Sequence, residues 1–436
     1  MNYWNMQLHP NDPNWHREEE LLKKHGVIGL GVWEEESNQQ SSFQNVMQVG
    51  DYVVIKHGGT IIALTQVIGD YYYDENTDDL LWFERRRKVK VLDMYDDSYN
   101  YSVPARRTLE RYASPEKDGY KSVVDWINKL KKRDNMKKII KLLTSNKNII
   151  LSGAPGTGKT YLAKNIAEKM GATEEHQGFV QFHPSYDYTD FIEGLRPIHK
   201  EGSNEIGFER KDGVFMEFCR KALASPKEIF VFIIDEINRG EISKIFGELF
   251  FSIDPGYRGE KGKVFTQYSN LWKEEDYYDT KQKGDERKKF YVPENVYIIG
   301  TMNDIDRSVE SMDFAFRRRF AFKEIKASEN TGMLDELGNE DLKKNALRRM
   351  ELLNNEISQC PGLNSSYHIG ASYFLKLNNY KEEPSDEKFI QLWDNHLETL
   401  LKEYLRGLPD ADELLEKMRM AYFGTNAKAD DNEAAN

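Results

Sequence analysis

The stretch from Asn148 to Met170 constrains this chain more than any other. Asn148-Ile-Ile-Leu-Ser152 is an apolar run of strand length, and it feeds directly into Gly153-Ala-Pro-Gly-Thr-Gly158-Lys159-Thr160. The next residues, Tyr161 to Met170, place their apolar side chains at helical spacing. A buried strand, a glycine loop and a helix in that order gather backbone N–H groups and the positive end of a helix around one point, which suits a phosphate. The glycines let the loop curl without Cβ clashes. Lys159 is then placed to reach the β and γ phosphates of a nucleoside triphosphate, and the Thr160 hydroxyl to hold Mg²⁺. Gly153, Ala154, Pro155, Gly156, Thr157, Gly158, Lys159, Thr160 and Tyr161 are the expected nucleotide contacts.

Two further strand ends belong with that loop. Glu228 to Ile234 is the most apolar strand in the chain and ends on Asp235-Glu236. In open α/β sheets ligands gather at the carboxyl ends of the strands. There Asp235 suits the outer shell of Mg²⁺, and Glu236 can orient or deprotonate an attacking water. A third strand, Asn295 to Gly300, ends on Thr301-Met302-Asn303, and Asn303 can hydrogen-bond that water or the γ-phosphate. Beyond it come Asp306-Arg307 and then Phe316-Arg-Arg-Arg-Phe320. Three arginines between aromatics cannot all face a core, and in a ring of subunits one could reach a neighbour's γ-phosphate.

At 436 residues the chain exceeds one hydrophobic core, so two or three domains are expected. Residues 1–112 read as a β-rich module, a small barrel. Val27 to Trp33, Asp51 to Lys56, Thr60 to Ile68 and Arg87 to Leu92 are its strand-like runs, with a hairpin turn at His57-Gly58-Gly59. Residues 113–145 read as a linker and lead-in helix, 146–327 as a parallel-sheet NTPase core, 328–424 as a helical subdomain, and 425–436 as too polar to fold. A net charge of −12 argues against coating nucleic acid by charge alone. No apolar run reaches the 18 residues of a membrane span, and MNYWNMQLHP has no signal-peptide pattern, so a cytoplasmic protein is expected. Cys219 and Cys360 form no metal or disulfide framework and read as buried small hydrophobes.

Together these pieces resemble the AAA+ family, and more narrowly the McrB family of modified-cytosine restriction NTPases. The stretch Met302 to Phe320 is similar to that family's MNTADRS, spacer and ALRRRF signature, with Asp304-Ile305 in place of Thr-Ala and Phe316 in place of Leu. Phe182 to Tyr188, Phe191 to Gly194, Asp235 to Arg239, Glu248-Leu249 and Tyr367 to Phe374 also resemble family positions, so the likeness covers about residues 140 to 410. It implies a hexameric ring with sites shared between subunits, Mg²⁺ as cofactor, and often GTP rather than ATP. By the same resemblance Lys159, Thr160, Asp235, Glu236 and Asn303 act in cis, Arg318 and Arg319 in trans, and Asp306 with Arg307 at the subunit junction. No NKxD-type guanine motif is present, so ATP stays open. Family members work with a separate McrC nuclease subunit, and no nuclease constellation is visible in this sequence.

The N-terminal module resembles EVE and other PUA-like domains through Tyr3-Trp4, Gly29 to Trp33 and Gly50 to Ile55. Such barrels bind modified bases flipped from double-stranded DNA, which takes an aromatic to stack on and polar groups for the base edge. Trp4, Trp33 and Tyr52 are the expected aromatics, and Arg85 and Arg86 the expected phosphate contacts. The leading expectation is a DNA-recognising motor subunit of a restriction system that activates a separate nuclease. The alternatives are an AAA+ protein remodeller or a slow nucleotide switch, whose barrel binds protein or RNA.

Overall fold

In the computed structural model residues 1–10, 12, 14–31, 38–99, 101, 107–115, 117–199, 206–277, 284–305 and 314–424 are described, and the chain divides into units 1–136 and 137–436. The first unit is built on β1 (Tyr3–Gln7), α1 (Glu18–His25), β2 (Val27–Leu30), β3 (Tyr52–His57), β4 (Thr60–Val67), β5 (Tyr72–Tyr73), β6 (Arg85–Met94) and β7 (Leu109–Arg111). Its strands run in the order β2-β6-β4-β3-β1-β7, with β5 beside β6, an open half-barrel sheet with β2 and β7 at the ends of that path. Sequence periodicity located β2, β3, β4 and β6 but not β1, which pairs with β3 in parallel and with β7 antiparallel. Tyr3-Trp-Asn-Met-Gln7 has no β-branched residue, so it lacks the signal that marks those four strands.

The β3–β4 turn rests on Gly58, whose φ of 56° lies in the left-handed region that glycine adopts without a Cβ penalty. Helix α1 carries Glu18, Glu19 and Glu20 in its first turn and Lys23, Lys24 and His25 in its last, matching the helix dipole at both ends. It buries Leu21 and Leu22 in a core shared with Trp4, Met6, Ile28, Val53 and Ile55. Helix α2 (Asp118–Asn146) begins in this unit, where Val123, Trp126, Ile127 and Leu130 pack with Val54, Ile61 and Leu64.

The second unit holds a five-stranded sheet flanked by helices. Its strands are β8 (Asn148–Gly153), β9 (Gln177–Gln181), β12 (Phe230–Asp235), β13 (Val296–Asn303) and β14 (Ala321–Glu324). A separate antiparallel hairpin, β10 (Glu193–His199) with β11 (Ile206–Asp212), falls between them in sequence. The sheet order is β14-β8-β13-β12-β9, and every pairing is parallel. In this register Asn303 lies opposite Gly153, and Asp235 opposite Gln181. The glycine loop, the acidic pair and Asn303 therefore emerge along one edge, the carboxyl end of the sheet.

Apolar strands need both faces covered. Phe191 and Phe215 stack at 4.8 Å in one such layer, with Phe232 and Phe246 edge-on to them. Beyond β14 the chain is helical, as expected, with Glu340–Gln359 and Ala411–Phe423 the longest helices and a core of Leu353, Phe374, Trp393 and Tyr422. Cys219 and Cys360 are free thiols and buried, as their isolation in sequence implied. Among the described residues no helix is long and apolar enough to cross a membrane.

Candidate nucleotide site

The loop after β8 is shaped by its glycines. Gly153, Gly156 and Gly158 have φ of 147°, 75° and 75°, conformations that side-chain-bearing residues rarely adopt. Helix α3 (Lys159–Met170) starts directly behind Gly158. The Lys159 ammonium is folded back over the loop, donating to the Ala154 carbonyl at 2.8 Å, the Gly153 carbonyl at 3.1 Å and the Asn303 Oδ1 at 2.8 Å. Burial lowers its pKa to about 8, against the opposing pull of Glu236, Asp304 and Asp235.

The strand ends complete the site. Thr160 Oγ1 donates to Asp235 Oδ1 at 2.7 Å, and Thr301 Oγ1 donates to the same oxygen at 2.5 Å. Asn303 Nδ2 donates to Glu236 Oε1 at 2.6 Å, and Arg239 forms an ion pair with the other carboxylate oxygen at 3.4 Å. Glu236 itself has φ 51° and ψ 44°, a left-handed conformation that costs a non-glycine residue about 1 kcal/mol or more. Strain held at the tip of a buried strand, on a carboxylate beside a phosphate loop, is the kind a reacting group carries. Thr160 and Asp235 bring hard oxygen donors together, a set that fits Mg²⁺, which binds through one or two protein oxygens and keeps several waters.

Three contributors stand in the sequence reading without a role at the site. Thr301 fixes the Asp235 carboxylate, but in sequence a threonine within a strand reads as an ordinary β-former. Asp304, where the family signature has threonine, lies near Lys159, and burial raises its pKa while the Lys159 charge pulls the other way. The segment Gly370 to Tyr373 from the helical region closes on the loop. The Gly370 N–H donates to Pro155 O and the Ser372 N–H to Gly156 O, each at 3.0 Å. A Cβ on Gly370 would stand 2.1 Å from the Gly156 carbonyl carbon, so glycine is required there for close approach and not for its φ.

Arg319 is buried, donating to the Ala315 carbonyl at 2.6 Å with its guanidinium 4.1 Å from the Phe250 ring centre, whereas Arg318 is exposed. Asp306 and Arg307 lie outside the described residues, as does Trp33.

In the N-terminal unit two expected DNA contacts are corrected. Trp4 is 1% exposed and its indole N–H donates to Asp51 Oδ2 at 3.0 Å, so it is a core residue and offers no face to a base. Arg86 is buried, donating to the Phe83 carbonyl at 2.9 Å and pairing with Asp74, so it offers no charge to phosphate. Tyr52 is half-buried with its ring 6.0 Å from that of Tyr3, and half-buried Arg85 lies 3.4 Å from the Gly31 carbonyl.

Residues 148–320 match the family described as AAA domain (dynein-related subfamily), and residues 345–412 match McrB, alpha-helical lid domain. Residues 11–111 match a family described as Domain of unknown function (DUF8426), so the EVE or PUA-like resemblance gains no support from that match. The chain is 38% identical over 274 residues to the Type IV methyl-directed restriction enzyme EcoKMcrB subunit of Escherichia coli (strain K12), covering 61% of this chain and 55% of that protein. It is 31% identical over 214 residues to the Type II restriction enzyme BsuMI component YdiS of Bacillus subtilis (strain 168), covering 44% of this chain and 61% of that one. The chain thus spans between half and two thirds of the length of these relatives. Among solved structures, the Thermotoga maritima RuvB Holliday junction branch migration motor aligns at 12% identity over 63% of this chain and 76% of that one, with a TM-score of 0.31.

Proposed function

We propose that this chain, an AAA+ P-loop NTPase with a McrB-type helical lid, is the nucleotide-hydrolysing subunit of a modification-dependent DNA restriction system. The observation that carries the enzymatic part is the relay Lys159–Asn303–Glu236, which links a phosphate-binding ammonium to a strained strand-end carboxylate through one carboxamide. Lys159 and the loop N–H groups hold the β and γ phosphates. Asn303 orients Glu236, and Glu236 takes the proton of the attacking water. Thr160 and Asp235 would hold Mg²⁺, which when bound would neutralise negative charge on the reacting phosphates.

The remaining parts of the reading rest on likeness to the two restriction components. The chain assembles into a ring, six subunits by the family pattern, and Arg318, exposed within one subunit, serves the neighbour's site. GTP is the first substrate to test and ATP the second. Turnover drives a separate nuclease subunit, and the N-terminal unit recognises modified double-stranded DNA by residues other than Trp4 and Arg86.

The experiment has two arms. Lys159→Ala should abolish nucleotide binding, while Glu236→Gln should bind nucleotide and lose turnover by about 10²–10⁴. Turnover near wild type in either variant ends the enzymatic assignment. Separately, a gel shift of the full chain on duplexes with and without 5-methylcytosine tests the DNA arm, and equal binding to both refutes it without touching the first.

A further inference from the structure

In the N-terminal unit the segment leading into α1 supplies His16, the first turn of α1 supplies Glu18, and the last residue of β3 is His57, and the three meet at one point. One ligand atom from each lies within 4.8 Å of the others. Glu18 is 2% exposed, and its Oε1 stands 2.5 Å from His57 Nδ1. The rings of His9 and His16 each lie 4.6 Å from that of His57. His9 Nδ1 is buried with no hydrogen-bond partner among the described residues.

A buried carboxylate must be compensated, and one imidazole would suffice for an ion pair. Here three imidazoles converge, more nitrogen donors than a single pair can use. Two imidazoles with one carboxylate is a donor set of the zinc class and not of Mg²⁺ or Ca²⁺, which take oxygen cages. Tetrahedral ligands at zinc distances stand about 3.3 Å apart, within the observed span. A cation that takes the place of the Glu18–His57 hydrogen bond opens that pair by about 0.8 Å, a side-chain adjustment. His16 is exposed and gives an entry path, while the His9 ring packs against His57 and limits its rotation.

We propose that His16, Glu18 and His57 form a binding site for one divalent transition-metal ion, with an open fourth position, which ties the segment before α1 to the end of β3. Neither the nucleotide reading nor the DNA reading is needed for it.

The test uses the full chain with no affinity tag, stripped by chelator and titrated with Zn²⁺ alone. Expected are one tightly held zinc per chain after desalting, measured by elemental analysis, and a tetrahedral d–d spectrum with Co²⁺. His16→Gln, Glu18→Gln and His57→Gln should each weaken binding at least tenfold, the scale on which a single ligand or its support matters. His199→Gln, an exposed histidine of the β10–β11 hairpin, should change nothing. Circular dichroism of the metal-free variants checks folding. Should His57→Gln fail to fold, His16→Gln decides, because His16 is exposed and outside the core. No stoichiometric zinc in the wild type, or binding unchanged by His16→Gln, overturns the site.

Discussion

Asn303 joins Lys159 to Glu236 through opposite ends of one carboxamide: its Oδ1 accepts from the ammonium at 2.8 Å and its Nδ2 donates to the carboxylate at 2.6 Å. The ammonium we assign to phosphate binding and the carboxylate we assign to water activation are thereby held by a single side chain at the tip of β13. Asn303→Ala releases both, so turnover should fall by about 10²–10³, the usual cost of one positioned polar group, while nucleotide affinity changes little. Asn303→Asp should be no better, since a carboxylate there faces Glu236. Single-turnover rates beside equilibrium binding separate the two effects. A large affinity loss with unchanged turnover would assign Asn303 to binding alone.

A second expectation concerns pH. In the proposed site phosphate binding needs the Lys159 ammonium, and burial lowers that group to about 8, below its ordinary value near 10.4. Above pH 8 nucleotide binding must therefore take up a proton, and affinity should fall as pH rises, approaching tenfold per unit by pH 9.5. Stability runs the other way. Between about 8 and 10.4 the unfolded chain holds more protons at this lysine than the folded one, so this group's contribution to the stability of the nucleotide-free protein rises with pH. Calorimetry in two buffers of different ionisation enthalpy reads the uptake directly. Affinity flat from pH 7.5 to 9.5 would contradict it.

Gly370 offers a sharper structural test. Its missing Cβ is what lets the segment from the helical region lie on the loop, 2.1 Å from the Gly156 carbonyl carbon were a methyl built there. The three nearest atoms, the Gly156 carbonyl carbon and oxygen and the Thr157 nitrogen, are all backbone, so none can swing aside. Gly370→Ala should cost about 1–3 kcal/mol through overpacking, read as a lower melting temperature and nucleotide affinity weakened by tenfold or so. A variant with wild-type melting and affinity would mean that the contact is dispensable.

How much of this was legible in sequence depends on range. That the glycine loop, the Asp235-Glu236 pair and Asn303 share one edge was readable because each sits at the end of an apolar strand, and parallel sheets bring such ends together. Gly370 was not, because its requirement is a contact with Gly156, more than two hundred residues away in the chain. Trp4 was misread since an aromatic near a chain start looks the same whether it stacks on a base or fills a core, and only the buried Asp51 acceptor distinguishes them. Burial works against the Asp51 charge, yet hydrogen bonds from Trp4, Asn2 and Gln48 hold its carboxyl below the usual range, which marks a structural anchor. Arg86 misled likewise, because a run of basic residues ordinarily reads as a solvated face, and its acceptors Phe83 and Asp74 come from the connection between β5 and β6.

The paired arginines should part company under mutation. Arg319 is buried on the Phe250 ring and bonded to the Ala315 carbonyl, so Arg319→Ala should lower the melting temperature by the equivalent of about 1–3 kcal/mol, from lost cation–π and charged hydrogen-bond energy. Arg318 is exposed, so its removal should leave melting unchanged. If it acts across a subunit junction, turnover by Arg318→Ala should drop by about 10³–10⁵, the scale of a trans-acting arginine. The discriminating measurement mixes Arg318→Ala with Glu236→Gln, each inactive alone. A site made from the Glu236 of one subunit and the Arg318 of its neighbour exists only in mixed rings, so turnover should reappear on mixing. Arginine acting within its own subunit predicts no recovery, because a Glu236→Gln subunit then lacks the base and an Arg318→Ala subunit lacks the finger, whatever stands beside them.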